Sequence, residues 1–207
     1  MPKEQTIFLH DHDLPASFKP ASIVAVDCEM MGLKPTRDKL CLLQISNGDG
    51  ISHLVKFDGK TYRAPTLKKI LSDPKIQKIF HFARSDLGFL KQYLDVTVKN
   101  VYCTRTASYL CRTYTTEHGL KAVTKELLGI DLSKEETASD WGAKTLSDKQ
   151  IKYAAQDVLY LHKIRNLLEA KLKRAGRDKL AKACFDFLET RAALDLMGFD
   201  SLDIFAH

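Results

Sequence analysis

The sequence predicts an α/β fold in which a mixed central sheet is flanked by helices. Apolar, β-branched runs of strand length come first along the chain, strands and helices then alternate, and helical periodicity alone fills the last part. Two of the strand–helix units have the length of crossovers, which join parallel strands. Strands followed by helices with such crossovers are typical of a layered α/β arrangement.

The first half of the chain supplies most of the predicted strands. Residues 22–27 (SIVAVD) form an apolar run that indicates a buried strand. Residues 39–46 and 50–57 are predicted to pair as a hairpin, because the turn sequence NGDG lies between them. A short helix over 65–71 and a strand over 76–80 follow. A helix over 85–94 is then predicted, with Ser85 as its N-cap residue.

The second half is predicted to be mainly helical. A strand over 100–103 opens into a helix near 104–114, and a further helix over 118–128 ends at Gly129, a residue that suits the position after a helix. Ser147 and Gln150 have the spacing of a capping box, which predicts the start of one long helix over 148–174. The last helix is expected over 178–197, before the tail GFDSLDIFAH.

Reactive side chains are concentrated in a few short patches. Asp27 and Glu29 are two residues apart in a strand and therefore point to the same side. Tyr153 and Asp157 are four apart in a helical pattern and share one helix face. Asp86 follows an apolar run where a strand gives way to a helix. Together, these five side chains occupy the positions that the metal site of a nucleic-acid-cutting enzyme would require.

The chemistry of these acids favours metal ions. Four carboxylates that converge from separate elements repel one another unless a cation lies among them. Hard oxygen ligands at this density favour Mg²⁺ or Mn²⁺. Each patch also has a purely structural interpretation: two acids on a surface strand, an acid in the favourable first turn of a helix, and an amphipathic helix face.

Composition is compatible with a nucleic-acid substrate without requiring one. The chain of 207 residues has 32 Lys+Arg and 26 Asp+Glu, a net charge of +6. The positive excess suits a polyanion, although it also suits a solvated surface with no partner. Five cysteines without a C-x-x-C pair argue against a disulfide framework or a zinc site and favour the cytoplasm. No membrane association is expected, because no apolar run approaches membrane-spanning length.

The ordered patches resemble those of the 3′–5′ exonucleases of the DEDD superfamily, tyrosine branch. The strings DCEMMGLKPTRDKLCLLQIS and SDWGAKTLSDKQIKYAAQDVLYL are similar to ribonuclease D, over about residues 21–171. The resemblance implies a ribonuclease H-like fold and two Mg²⁺ or Mn²⁺ ions held by Asp27, Glu29, Asp86 and Asp157. It also implies that Tyr153 orients the attacking water.

The resemblance also suggests residues that contact the substrate. Leu33 is the candidate for a wedge against the terminal bases, and Met30 for the lining of the 3′-nucleotide pocket. His81 is either a core histidine or a residue that stacks on a base. Arg112, which lies in a polar stretch beside hydroxyl side chains, is the candidate for binding a terminal phosphate.

The first motif and the compact length are similar to the nano-RNase C group, stand-alone enzymes that cut very short RNA. We therefore expect one exonuclease domain over 1–207 that acts on short oligoribonucleotides, including linear dinucleotides. The alternatives are a general exonuclease for longer RNA or single-stranded DNA, and a non-catalytic nucleic-acid-binding scaffold. Residues 176–207 form a helix and an apolar tail, which docks either on its own subunit or in a homo-oligomer.

Overall fold

The core of the fold is a six-stranded mixed sheet with helices on both faces. The computed structural model describes residues 6–132 and 139–206. Across the sheet the strand order is β1-β4-β3-β2-β5-β6. The strands are β1 Thr6–Asp11, β2 Ile23–Met30, β3 Leu40–Ser46, β4 Ile51–Lys56, β5 Gln77–Phe80 and β6 Val101–Cys103. The predicted fold class is confirmed.

The sheet is antiparallel on one side of β2 and parallel on the other. Strands β2, β3 and β4 pair antiparallel in sequence order, as the predicted hairpin requires. Strands β5 and β6 add parallel to β2 through helical crossovers. The edge strand β1 pairs parallel with β4 and was not predicted, because the apolar run in its sequence TIFLHD is only three residues long.

Seven helices and a terminal π-helical turn are described. They are α1 Pro65–Ser72, α2 Ala83–Leu94, α3 Thr104–Cys111, α4 Leu120–Leu128, α5 Asp148–Leu159, α6 Leu161–Arg174, α7 Asp178–Leu194 and the turn Asp195–Phe199. Gly129 ends α4 in the left-handed conformation, and Ser147 and Gln150 form the capping box of α5. Both of these end signals are as predicted.

Three helix boundaries differ from the prediction. Ser85 is not an N-cap residue, because Phe82 turns the chain in the left-handed conformation and α2 begins at Ala83. The long helix over 148–174 is broken at Tyr160 into α5, which packs on β4, β3 and β2, and α6, which packs mainly on α3 and also on α4, α7, β2 and β5. The helix near 104–114 ends at Cys111.

Two apolar clusters pack on the sheet. The larger includes Cys28, Phe80, Phe89 and Leu168, and the smaller joins Leu42 and Leu54 to Trp141 and two alanines of α5. Cys28 is buried in the larger cluster, as expected for a residue on the opposite face from Asp27 and Glu29. The smaller cluster fixes α5 against the sheet and thereby positions Tyr153 and Asp157.

Candidate active site

The first two acids lie at the end of β2, the strand nearest the middle of the sheet. Asp27 is paired with Gln44 of β3 and Glu29 with Leu42, and the pairing register shifts directly after Glu29. The Gln44 side chain, itself buried, donates from Nε2 to Glu29 Oε1 at 3.4 Å. The irregularity ends the regular ladder here, which is common at functional sites.

Helix α5 brings the third acid to the same place. Ligand oxygens of Asp27, Glu29 and Asp157 all lie within 4.8 Å of one another. Tyr153, one turn before Asp157, faces the same side, with its ring 6.1 Å from that of Trp141. The structure therefore gathers Asp27, Glu29 and Asp157 into one cluster, as the spacing predicts.

Asp86 approaches this cluster from α2 but is not one of its three closely spaced members. Asp86 is 3% exposed, and hydrogen bonding to Cys28 partly offsets the rise that burial causes in its pKa. Its charge still raises the pKa values of Asp27 and Glu29.

The electrostatics of the four acids are unfavourable without a cation. Burial, aided by the charges of Asp86, Asp157 and Glu29, raises the pKa of Asp27 well above its ordinary value. Burial is also the first cause for the others: it raises the pKa of Glu29 to about 9, of Asp86 to about 8 and of Asp157 to about 7. Groups with these shifts bind protons or metal ions, because either reduces the charge.

A short rigid loop after β2 presents Leu33 to solvent. The carboxylate of Asp38 accepts from the Lys34 amide at 2.9 Å and from the Arg37 guanidinium at 2.7 and 2.8 Å. A side chain at position 32 would collide with Asp38, since a Cβ there would lie 2.2 Å from its Oδ2. Gly32 lets the loop close, and Leu33 stands 87% exposed beside the acids.

Two clefts flank the acid cluster. One of about 530 Å³ has Glu29, Met30, Leu33 and Trp141 among its lining residues. The other, of about 750 Å³, has Tyr153, Asp157 and the side chains of α4 along its wall. Trp141 is 2% exposed and packs in the smaller core cluster.

Comparison with known protein families agrees with the geometry of this site. A family model described as 3′–5′ exonuclease matches residues 12–173.

The chain belongs to the 3′–5′ exonuclease family.

Among curated relatives, the ribonuclease D of Escherichia coli is 32% identical over 163 residues, which is 74% of this chain and 40% of that protein. The ribonuclease D of Gluconacetobacter diazotrophicus is 30% identical over 154 residues, 74% of this chain and 39% of that protein. The chain thus spans about two fifths of the length of these relatives.

Among the solved structures, NrnC is similar to this chain over almost its whole length. NrnC of Brucella melitensis bound to pGG is 48% identical, with a TM-score of 0.94 over 99% of this chain and 100% of that one. The same protein with bound Mg²⁺ has a TM-score of 0.93. The E. coli ribonuclease D structure is 26% identical, with a TM-score of 0.74 over 83% of this chain and 45% of that one. The resemblance to ribonuclease D and the nano-RNase C group is confirmed.

His81 is partly buried and forms a hydrogen bond through one ring nitrogen, while its Nε2 has no hydrogen-bond partner among the described residues. Its Nδ1 is 2.9 Å from Thr104 Oγ1, and Thr104 donates to the Phe80 carbonyl. Burial, with help from the Arg105 charge, lowers the pKa of His81 to about 3. A neutral imidazole with an unpartnered Nε2 fits both core packing and base stacking, so the role of His81 stays a prediction.

Arg112 is placed differently from the expectation that it binds phosphate. It is 1% exposed, and its guanidinium donates to Glu126, Ser108 Oγ and the Glu117 carbonyl. A terminal phosphate would have to displace these partners, so the geometry argues against that expectation. The buried arginine instead ties α3 to α4 through an ion pair with the partly exposed Glu126.

Sequence reasoning missed the aromatic group at the start of α2. Phe82 is a non-glycine residue with φ 71° and is 44% exposed. The Arg105 guanidinium carbon lies 4.5 Å from the centre of its ring. A left-handed backbone conformation in a phenylalanine costs free energy, and such residues are concentrated at functional sites. No sequence pattern predicts this conformation at Phe82.

Proposed function

We propose that this chain is a two-metal 3′–5′ exoribonuclease that hydrolyses short oligoribonucleotides, with dinucleotides preferred, to nucleoside 5′-monophosphates. The observation that carries the proposal is the convergence of Asp27, Glu29 and Asp157 within 4.8 Å, beside an exposed Leu33. Among the three function classes predicted, a scaffold is least favoured, because clustered acids with raised pKa values cost stability unless they bind something.

The acids fit the pair of Mg²⁺ or Mn²⁺ ions that the family implies. Carboxylate oxygens are the preferred ligands of both metals, and Asp27, Glu29 and Asp157 offer them at mutual distances suited to a shared site. Asp86 lies next to them and would complete the set, directly or through water. When bound, such ions supply an activated water and stabilise the charge of the leaving 3′-oxygen.

The protein's own groups orient the reactants. Tyr153 lies on the same face of α5 as Asp157, and its hydroxyl would orient the attacking water. A phenol whose ordinary pKa is about 10 is a poor proton acceptor near neutral pH, so Tyr153 positions the water and does not deprotonate it. Leu33 and Met30 border the cleft beside Glu29 and would hold the 3′-terminal nucleoside.

The preference for short substrates is supported by the similarity to NrnC. That protein matches this chain over nearly the full length of both and was solved with pGG. Ribonuclease D is less similar and matches with less than half of its own structure. A dinucleotide-sized substrate is therefore favoured over long RNA or single-stranded DNA.

Assembly into a homo-oligomer is part of the proposal. Beyond α7 the tail leaves several large apolar side chains partly exposed: Phe199, Leu202, Ile204 and Phe205. Phe205 contacts Phe187 of its own α7, with ring centroids 5.9 Å apart, yet remains 77% exposed. A second copy would cover this surface.

The setting proposed for this activity is the cytoplasm. All five cysteines are free thiols, which agrees with a reducing compartment. Within residues 6–132 and 139–206, no helix combines the length and apolar character needed to cross a bilayer.

A length series tests the function. Purified protein is mixed with 5′-phosphorylated RNA of two to about ten nucleotides with Mg²⁺ or Mn²⁺, and kcat/KM is measured for each length. We expect the highest value for the dinucleotide, with nucleoside 5′-monophosphate as product and no turnover in EDTA. Asp27→Ala is the inactive control, and Asp11→Ala, an exposed acid on the edge strand, is its matched active control.

Turnover in EDTA, or by Asp27→Ala, would contradict the metal mechanism. A flat or rising kcat/KM with length would contradict the dinucleotide preference and favour the general exonuclease.

A further inference from the structure

A buried amide side chain lies directly beside the acid cluster. Gln44 of β3 is fully buried, and in the pairing registers it is opposite Asp27 of β2 on one side and Leu54 of β4 on the other. Residues opposite each other in an antiparallel pair share a face of the sheet. The amide therefore stands on the face that carries the acids, where the neighbouring positions of the sheet hold Leu42 and Leu54.

The hydrogen bonding of this amide is directed at one acid. The Gln44 Nε2 donates to Glu29 Oε1 at 3.4 Å, while its buried Oε1 has no hydrogen-bond partner within residues 6–132 and 139–206. A buried amide costs free energy that only hydrogen bonds offset. An apolar side chain would pack here at lower cost, so packing alone does not explain a glutamine.

The backbone holds Gln44 more firmly than it holds Glu29. Gln44 is paired in regular register with a strand on each side. Glu29 occupies the last regular pair of β2 with β3, because the register shifts directly after it. A long carboxylate side chain at the end of a regular ladder has several rotamers open to it, and a contact to a fixed neighbour selects among them.

We propose that Gln44 is a positioning residue, which holds one carboxylate oxygen of Glu29 and so presents this acid to the cation site formed with Asp27 and Asp157. The inference rests on the proposed function, since it concerns how that metal site is built. Gln44 acts through Glu29 and does not itself bind the metal or the substrate.

A neutral donor suits this role better than a charged one. A lysine or arginine at the same position would place a positive charge among the acids and repel the metal ions. An amide donates its N–H without adding charge, so the negative charge of the cluster stays available for cations. Hydrogen-bond partners of this kind orient metal-binding carboxylates, and their loss typically weakens metal binding by about 10–100-fold.

The test measures Mn²⁺ binding to the purified protein by calorimetry at constant pH, together with hydrolysis of a 5′-phosphorylated diribonucleotide. Gln44→Met keeps an unbranched side chain and removes the amide. We expect its Kd for Mn²⁺ to rise by about tenfold or more. The KM for the diribonucleotide at saturating Mn²⁺ should change little, because Gln44 does not contact the substrate.

Two further variants separate positioning from folding. Gln44→Asn keeps the amide but shortens the side chain by one methylene, so it should lose the contact with Glu29 and weaken Mn²⁺ binding as Gln44→Met does. Ser46→Ala is the matched control: Ser46 is buried on the same face of β3, but its hydroxyl donates to the Ile51 carbonyl at 2.6 Å. It should keep the wild-type Kd for Mn²⁺, whatever its melting temperature.

A double-mutant cycle tests whether Gln44 acts through Glu29. In a Glu29→Gln background, Gln44→Met should change the Kd for Mn²⁺ by less than about twofold, because the acid that it orients is already lost. A tenfold effect that persists in this background would overturn the assignment.

The remaining outcomes are also decisive. Wild-type Mn²⁺ affinity in the Gln44 variants would overturn the inference and leave the proposed function standing. Equal weakening by Ser46→Ala, or unfolding of both Gln44 variants, would give Gln44 a purely structural role. A wild type that binds no Mn²⁺ would overturn the metal site of the proposed function and, with it, this inference.

Discussion

Replacing Asp157 by Asn should stabilise the metal-free protein at alkaline pH. The pKa of Asp157 is raised by burial from 3.8 to about 7. In the folded state the carboxyl therefore retains a proton at pH values where the unfolded chain has lost it. Folding becomes less favourable as pH rises from about 4 through about 7, because the charge must form inside an acidic cluster.

The magnitude follows from the pKa difference. At 1.36 kcal/mol per pKa unit, the full penalty above pH 7 is about 4 kcal/mol. Partial solvent exposure of Asp157 and the cost of burying an amide reduce the net gain for Asn to about 2 kcal/mol. For a chain of this length, that corresponds to a rise in Tm of roughly 4–8 °C.

The assay is thermal unfolding in EDTA at pH 5 and pH 8, with Asp11→Asn as an isosteric control on the exposed edge strand. We expect the gain from Asp157→Asn to be larger at pH 8 than at pH 5. Saturating Mg²⁺ should reverse the order, since the wild type then gains binding free energy that the variant lacks. A variant that is less stable than the wild type in EDTA at pH 8 would refute the reasoning.

Three further outcomes are expected. Tyr153→Phe should lower kcat by about 10²–10³ with KM little changed, by analogy with loss of one transition-state donor; a loss below about threefold would show that the hydroxyl is dispensable. Glu126→Gln should destabilise the fold by about 2–3 kcal/mol, because it leaves Arg112 buried without its counter-ion, while Arg112→Ala should not alter the preference among RNA lengths; an unchanged Tm or a changed preference would contradict this. Deletion of 199–207 should weaken a homo-oligomer in sedimentation, and a wild type that sediments as a single chain would refute the assembly.

The role of Arg112 could not be predicted from the sequence, because its ion-pair partner was not known. An arginine beside hydroxyl residues has the composition of a phosphate site, and a pattern does not reveal which acid lies opposite it. Glu126 is 14 residues away, on another helix, and receives the guanidinium. The competition between a substrate phosphate and an internal carboxylate is decided by the packing of α3 on α4.

The placement of the helices on the sheet was likewise decided by contacts between distant residues. The break at Tyr160 leaves no mark in the apolar periodicity, because both halves have one apolar face. It is needed because α5 covers β4, β3 and β2, whereas α6 packs mainly on α3. The left-handed Phe82, which contacts Arg105, and the ion pair of Arg84 with Asp195 have the same origin, since both contacts join residues far apart in sequence.

The sequence by itself determined the fold class and which of the site residues share one face of a strand or helix. Side-chain direction alternates along a strand and repeats every turn of a helix, so Asp27 with Glu29, and Tyr153 with Asp157, share a face wherever those elements lie. Only the tertiary structure decided that Asp86 stands slightly apart from the other three acids, that Arg112 is buried, and that the segment after α7 closes a cleft beside Leu33. Local backbone geometry is encoded over a few residues, whereas these three features depend on which distant surfaces pack together.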